Sequence, residues 1–201
     1  MSRPDRVVLA TNNAKKLVEL RRVVAAAGLD VQVLGLADFP SYPDPDETER
    51  TFEGNAFLKA EAAVAATGVA AIADDSGLEV DELGGMPGVR SARWAGPECD
   101  DRANLELLLR QLDGVPEDRR TARFVCALAF VAPDGERLVW RGEMPGRIAT
   151  AEAGTNGFGY DPIFVADGHA QTTAELTPSA KDAISHRGHA VRAFVDWLEE
   201  G

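Results

Sequence analysis

The spacing of apolar residues switches between a strand-like and a helix-like period along the chain, and the switches mark the elements. Val7 to Ala10 is a short apolar run of strand type. Polar Thr11-Asn12-Asn13 follows, and then a helical face of Leu17, Leu20, Val23, Val24 and Ala27 that stops at Gly28. Val31 to Leu34 reads as a second strand, and Asp38 to Arg50, rich in proline and acid, as a loop. Thr51 to Thr67 is an alanine-rich helix closed by Gly68, and Val69 to Ala73 is a buried strand expected to stop at Asp74-Asp75-Ser76-Gly77. After a Gly/Pro-rich stretch from Gly84 to Gly88, Asp100 is placed to cap a helix running through Leu112. Arg123 to Ala132 and Arg137 to Glu143, joined by Pro133-Asp134-Gly135, read as a hairpin of long strands. Gly154 to Tyr160 is glycine-rich, and a helix is predicted from about Ser185 to Glu200. The order predicts a mixed α/β fold.

Composition narrows this picture. The 201 residues, 45 % hydrophobic and 27 % charged, suit one globular domain, 1–201, whole or divided into two lobes around a cleft. No segment approaches the roughly 20 apolar residues of a membrane span, and polar Met1 to Arg6 does not suit a secretory signal. Cys99 and Cys126 fall in no disulfide or metal spacing, so a reduced, cytoplasmic protein is expected. The net charge of −12 argues against nucleic acid as a partner. It leaves room for a small polyanion, because charges more than about 8 Å apart are largely screened at physiological salt.

Four clusters can carry chemistry, and each also has a plain structural reading. Thr11-Asn12-Asn13-Ala14-Lys15-Lys16 sits at a strand-to-helix junction, where helix N–H groups form an anion seat and Lys16 can reach back to a phosphate; otherwise it is an Asn cap with solvated lysines. Asp74-Asp75-Ser76-Gly77 places paired carboxylates at a strand end, suited to a hard cation and to accepting a proton from water; otherwise it is an ordinary turn. Glu47, in the acidic loop, is a further candidate ligand; taken alone it reads better as a solvated loop acid among Asp44, Asp46 and Glu49. Gly157-Phe158-Gly159-Tyr160-Asp161-Pro162 offers a flat ring for a purine, or a tight turn packing its aromatics inward. Lys181 with Ser185-His186-Arg187 gathers donors at the mouth of the last helix, or simply caps it.

In this order the clusters resemble the inosine triphosphate pyrophosphatase family, the XTP/dITP diphosphatases. The likeness runs from Val7-Val8-Leu9-Ala10-Thr11-x-Asn13-x-x-Lys16 through Thr51-Phe52-x-x-Asn55-Ala56, Leu58-Lys59-Ala60, Ile72 to Leu78, Pro87-Gly88, Ser91-Ala92-Arg93 and Phe158 to Pro162, to Ser185-His186-Arg187. The resemblance implies an elongated mixed-sheet α/β fold with two lobes around a central substrate cleft, usually a homodimer, and a magnesium ion. It implies that Thr11 to Lys16 hold the triphosphate, that Asp75 binds metal and accepts a proton, that Glu47 is the other metal carboxylate, and that Lys59 and Asp74 support phosphate and metal. Ser76, Phe158, Gly159, Tyr160, Asp161, Lys181, His186 and Arg187 match substrate contacts. Two departures stand out: family members often carry glycine where this chain has Glu49, and glutamate where it has Gly54.

The expected reaction is hydrolysis of noncanonical purine triphosphates (ITP, dITP, XTP) to monophosphate and pyrophosphate. The rival readings are a silent nucleotide-binding or regulatory module, which does not need this set of charged residues, and a Maf-type house-cleaning pyrophosphatase, whose Ser-Pro-Arg-Arg opening is missing. A Nudix hydrolase is disfavoured because no R-E-x-x-E-E box occurs.

Overall fold

The structure, a computed structural model, describes residues 3–200. They form two compact units, each assembled from separate stretches of chain. The first comprises residues 3–75, 127–141 and 189–200, the second residues 76–126 and 142–188. The strands are hydrogen-bonded in the order β2-β1-β3-β5-β6-β7, with β4 on β3. Among the described residues no helix is long and apolar enough to cross a membrane.

The first unit is a parallel α/β arrangement. Strand β1 (Arg6–Leu9) pairs with β2 (Gln32–Gly35) on one side and with β3 (Ala71–Val80) on the other, in register at Val8–Ala71 and Leu9–Ile72. Helix α1 (Ala14–Ala26) links β1 to β2, and α2 (Phe52–Thr67) links β2 to β3. The first link moves one way along the sheet and the second moves back across β1. Right-handed crossovers therefore place the two helices on opposite faces. The strand order reverses between β1 and β3, and at such a switch point the carboxyl ends of open α/β sheets receive ligands.

The helices start where the sequence said they would. Asn13 caps α1 by accepting from Lys15 N at 3.0 Å, and Thr51 caps α2 by accepting from Gly54 N at 3.1 Å. Gly68, at φ 68°, ends α2 in the left-handed conformation that other residues enter only at a cost. Small residues let α2 sit close to the strands, with Ala60, Ala63, Ala71 and Ala73 all fully buried. Helix α5 (His186–Glu199) contributes its C-terminal part here: Phe194 and Trp197 pack against Trp140, at ring-centroid distances of 5.3 and 5.5 Å.

In the second unit the later half of β3 pairs antiparallel with β4 (Met86–Pro87), and β6 (Arg137–Ile148) pairs antiparallel with β7 (Phe164–Ala166). Helix α3 (Asp101–Gln111), capped by Asp100, buries Leu105 and Leu108 in a core with Leu78, Val80, Ile148 and Phe164. The guanidinium of Arg120, buried within this unit, donates to the carbonyls of Leu112, Val115 and Ala149 at 2.6–3.0 Å. The first of these is the C-cap carbonyl of α3, which has no helical partner, and the other two belong to the loops after α3 and β6.

The main departure from expectation is β3. It does not stop at Ala73 but stays extended through Asp74-Asp75-Ser76-Gly77 to Val80. A turn at this sequence would need the aspartate side chains to bond their own backbone; here distant lysines hold them. Likewise β5 (Thr121–Val131) and β6 run beyond the predicted hairpin, whose turn at Pro133-Asp134-Gly135 is as expected. Strands β4 and β7 and helix α4 (Pro178–Ile184) are too short to have left a periodic signal.

Candidate active site

The first unit gathers the charged residues of the amino-terminal half. Neighbouring residues on a strand project to opposite faces, so Asp74 and Asp75 meet different helices. Lys16, at the first turn of α1, donates to Asp74 Oδ2 at 2.6 Å, and the Asp74 side chain is only 2 % exposed. Lys59, midway along α2, contacts Asp75 Oδ1 at 2.9 Å and Glu47 Oε1 at 2.6 Å. The ammonium of Lys59 therefore draws the acidic-loop carboxylate and the strand carboxylate to one point.

Asn55 completes this arrangement, and sequence reasoning gave it no role. Its amide donates to Asp75 Oδ2 at 3.3 Å while its carbonyl oxygen accepts from Glu49 N at 3.0 Å, tying the loop that carries Glu47 to β3. A buried asparagine in an alanine-rich helix face was the available signal. The two departures from the family pattern also meet here. A Cβ on Gly54 would lie 2.6 Å from Glu49 Cβ, so a side chain at position 54 would force one of the two segments to shift. Glu49 and Gly54 are therefore sterically coupled, as an exchange of a side chain at one position for a side chain at the other would require.

Burial pushes the Asp75 carboxyl above its ordinary range, and the nearby Glu47 adds to this; the Lys59 charge and the Asn55 amide oppose it. For Lys59, burial lowers the ammonium's pKa, but Asp75 and Glu47 outweigh burial and raise it overall. Asp75 is thus a stronger base than a solvated aspartate, kept close to a positive charge. At the strand-to-helix junction, Thr11 Oγ1 accepts from Asn13 N at 3.2 Å and Asn12 donates to Asp44 at 3.2 Å, while Ala14 and Lys15 are exposed at the helix start.

A divalent cation fits this donor set. Among the described residues no three acidic, histidine or cysteine side chains form a ready-made cage. Magnesium, however, commonly takes one or two carboxylates and fills its octahedron with water and substrate phosphate. Glu47 and Asp75 already converge on one cationic group, and carboxylate oxygens are the hard donors such an ion prefers.

The second unit holds the other predicted residues. Phe158 is 78 % exposed, an unusual setting for so large an apolar ring. The Lys181 ammonium lies 5.1 Å from its ring centroid and is ion-paired with the buried Asp161. Gly159 N donates to Asp101 at 2.9 Å, and the Tyr160 hydroxyl donates to the Ser91 carbonyl at 2.8 Å. Burial drives that phenol well above its usual pKa, with Asp101 adding to the effect. His186 stacks on Phe124 at 5.2 Å, Arg187 is half-buried beside it on α5, and Ser185 caps that helix by accepting from Gly188 N at 3.0 Å. Ser76 is exposed on β3.

Comparison with known proteins gives a concordant result. The model of the Ham1 family matches residues 7–197. A dITP/XTP pyrophosphatase of Cutibacterium acnes is 57 % identical over 193 residues, covering 95 % of both chains. One from Nocardia farcinica is 57 % identical over 194 residues, covering 96 % of this chain and 94 % of its own. Among solved structures, a Nucleoside-triphosphatase / dITP/XTP pyrophosphatase from Mycobacterium abscessus superposes with a TM-score of 0.82 at 52 % identity, covering 94 % of this chain and 98 % of that one. A HAM1 protein from Coxiella burnetii reaches a TM-score of 0.91 at 39 % identity, covering 98 % and 99 %.

Two outcomes are expected from this geometry. In metal-free protein, Lys59→Met should raise the pKa of Asp75 further and destabilise the fold more at pH 8 than at pH 4.5. The ionised carboxylate loses its partner at the higher pH, whereas protonation relieves it at the lower. Denaturant titrations at the two pH values measure this, and an equal loss at both contradicts the pairing. Separately, Gly54→Glu should cost about 1–3 kcal/mol by overpacking, and the double change with Glu49→Gly should recover most of it. A double-mutant cycle showing simple additivity contradicts the proposed exchange.

Proposed function

The chain belongs to the Ham1 family, and from that premise we propose that it hydrolyses noncanonical purine nucleoside triphosphates, ITP, dITP and XTP, to the monophosphate and pyrophosphate. The observation that carries this reading is the joint engagement of Glu47 and Asp75 by Lys59, beside the Lys16–Asp74 pair. It supports a site built for a cation and a polyanion together.

Glu47 and Asp75 would hold a magnesium ion, with Asp74 supporting through Lys16. The ion, when bound, neutralises phosphate charge and eases departure of pyrophosphate. Thr11, Asn12, Asn13 and the exposed start of α1 at Ala14 and Lys15 receive the triphosphate, where the helix dipole favours negative charge. Lys16 and Lys59 each have a single positive charge to share between a carboxylate and an arriving phosphate. They stabilise the charge that moves onto the leaving group as the α–β anhydride bond breaks. Water attacks phosphorus, a new P–O bond forms as the anhydride bond breaks, and Asp75 takes up the proton, through a second water while it holds the ion.

At the base end, the exposed ring of Phe158 is the stacking surface, with Gly159 and Tyr160 shaping the turn. Lys181, His186 and Arg187 supply donors, and Ser76 is a further substrate contact. Hypoxanthine and xanthine present a 6-keto acceptor to such donors, whereas adenine presents an amino group that leaves them unpaired. We place this activity in a homodimer in the cytoplasm.

A magnesium-dependent panel of ITP, XTP, GTP and ATP, scored for monophosphate and pyrophosphate, tests the proposal. ITP and XTP should be turned over far faster than ATP. Asp75→Asn should fold normally and lose about 10²-fold or more in kcat. Tight ITP binding without pyrophosphate release would identify a binding module instead, and comparable rates on all four nucleotides a general nucleotidase.

A further inference from the structure

The Asp161 carboxylate is closed off by its own unit. The residue is 2 % exposed, and both oxygens already have donors. Thr173 Oγ1 donates to Oδ1 at 2.8 Å, Phe158 N donates to Oδ2 at 2.8 Å, and Lys181 Nζ contacts the same Oδ2. Gly157 is part of the enclosure, since a Cβ there would lie 2.1 Å from Asp161 Oδ2. A carboxylate so committed has little left to offer a nucleobase. It can, however, fix in place the two groups that do reach outward, the Lys181 ammonium and the ring of Phe158.

Thr173 is the most deeply buried member of this set. It is fully buried, and its N–H donates to the Phe164 carbonyl at 2.8 Å. The next residue joins the frame: Ala174 N donates to Asp161 O, and Ala174 O accepts from Thr155 N and Asn156 N. The hydroxyl of Thr173 is therefore presented to Asp161 from backbone held on both sides. A threonine χ1 is restricted by its branched Cβ, so the hydroxyl oxygen is held in place, 2.8 Å from Asp161 Oδ1 and 3.2 Å from Asp161 O.

We propose that Thr173 is a positioning residue for base selection, which acts through Asp161 to set where the Lys181 ammonium and the Phe158 ring stand. Resting on the function proposed above, this means that discrimination between 6-keto and 6-amino purines depends on a side chain that never touches the base. Lys181 carries donors and no acceptor. Its selectivity for a keto oxygen holds only while its ammonium is kept at one point. Releasing one end of the Asp161 carboxylate lets the ammonium follow the base instead of judging it.

The test is a comparison of kcat/KM for ITP and ATP in wild type, Thr173→Val, Thr173→Ser and Asp161→Asn. Thr173→Val removes the hydroxyl and keeps the branched shape. The ITP:ATP ratio should fall by about fivefold or more, roughly the effect of one buried hydrogen bond, with the change in KM for ITP and little in kcat. Thr173→Ser restores the donor and should recover the ratio. Asp161→Asn leaves one acceptor oxygen for three donors and should lower the ratio even if the valine variant does not fold. A purely structural role would lower kcat for both nucleotides together and leave their ratio intact; that outcome, or a serine variant no better than valine, overturns the proposal. A wild-type enzyme with no preference for ITP would instead overturn the function on which it rests.

Discussion

Two lysines, one from each face of the parallel sheet, hold the two aspartates of β3, and the organisation of the amino-terminal unit follows from this. An extended strand with adjacent carboxylates is a poor element by itself. Aspartate disfavours strands, and two buried negative charges repel. The α1 lysine on Asp74 and the α2 lysine on Asp75 remove both objections at once. They can do so because the sheet order reverses at β1, which puts the two helices on opposite faces. Burial is what makes Asp75 more basic than a solvated aspartate; the Lys59 pairing opposes that shift and compensates the carboxylate's charge.

Much of this was legible in the sequence because it is local. The caps at Asn13, Asp100 and Ser185, the stop at Gly68 and the hairpin turn at Asp134-Gly135 each depend on residues within a few positions of one another. What was not legible depends on distance. Asp74-Asp75-Ser76-Gly77 has the composition of a turn and is a strand, because Lys16 and Lys59 lie 58 and 16 residues away in sequence. Asn55 entered the sequence reading only as part of a motif and Thr173 not at all; only the fold shows that each bonds a buried aspartate carboxylate. Glu49 and Gly54 read as two separate departures, although a Cβ added at position 54 would meet Glu49 Cβ at 2.6 Å.

The proposed function assigns the two ends of the substrate to different physics. The phosphate end relies on charge: carboxylates, lysines and a helix start, whose effect survives small displacements because Coulomb forces fall off slowly. The base end relies on direction: a ring face and donors that must point correctly to reject adenine. It is accordingly the more heavily braced, through Asp161, Asp101 and the Ser91 carbonyl.

The most direct measurement of the central claim is paramagnetic broadening by manganese in protein labelled with ¹³C at aspartate carboxyls, with a non-hydrolysable ITP analogue bound. The account expects the Asp75 signal to be lost first and Asp74 to broaden strongly, while Asp196 on α5 stays sharp. Sharp signals from both β3 aspartates, with broadening elsewhere, would mean that the metal and the triphosphate bind at another site.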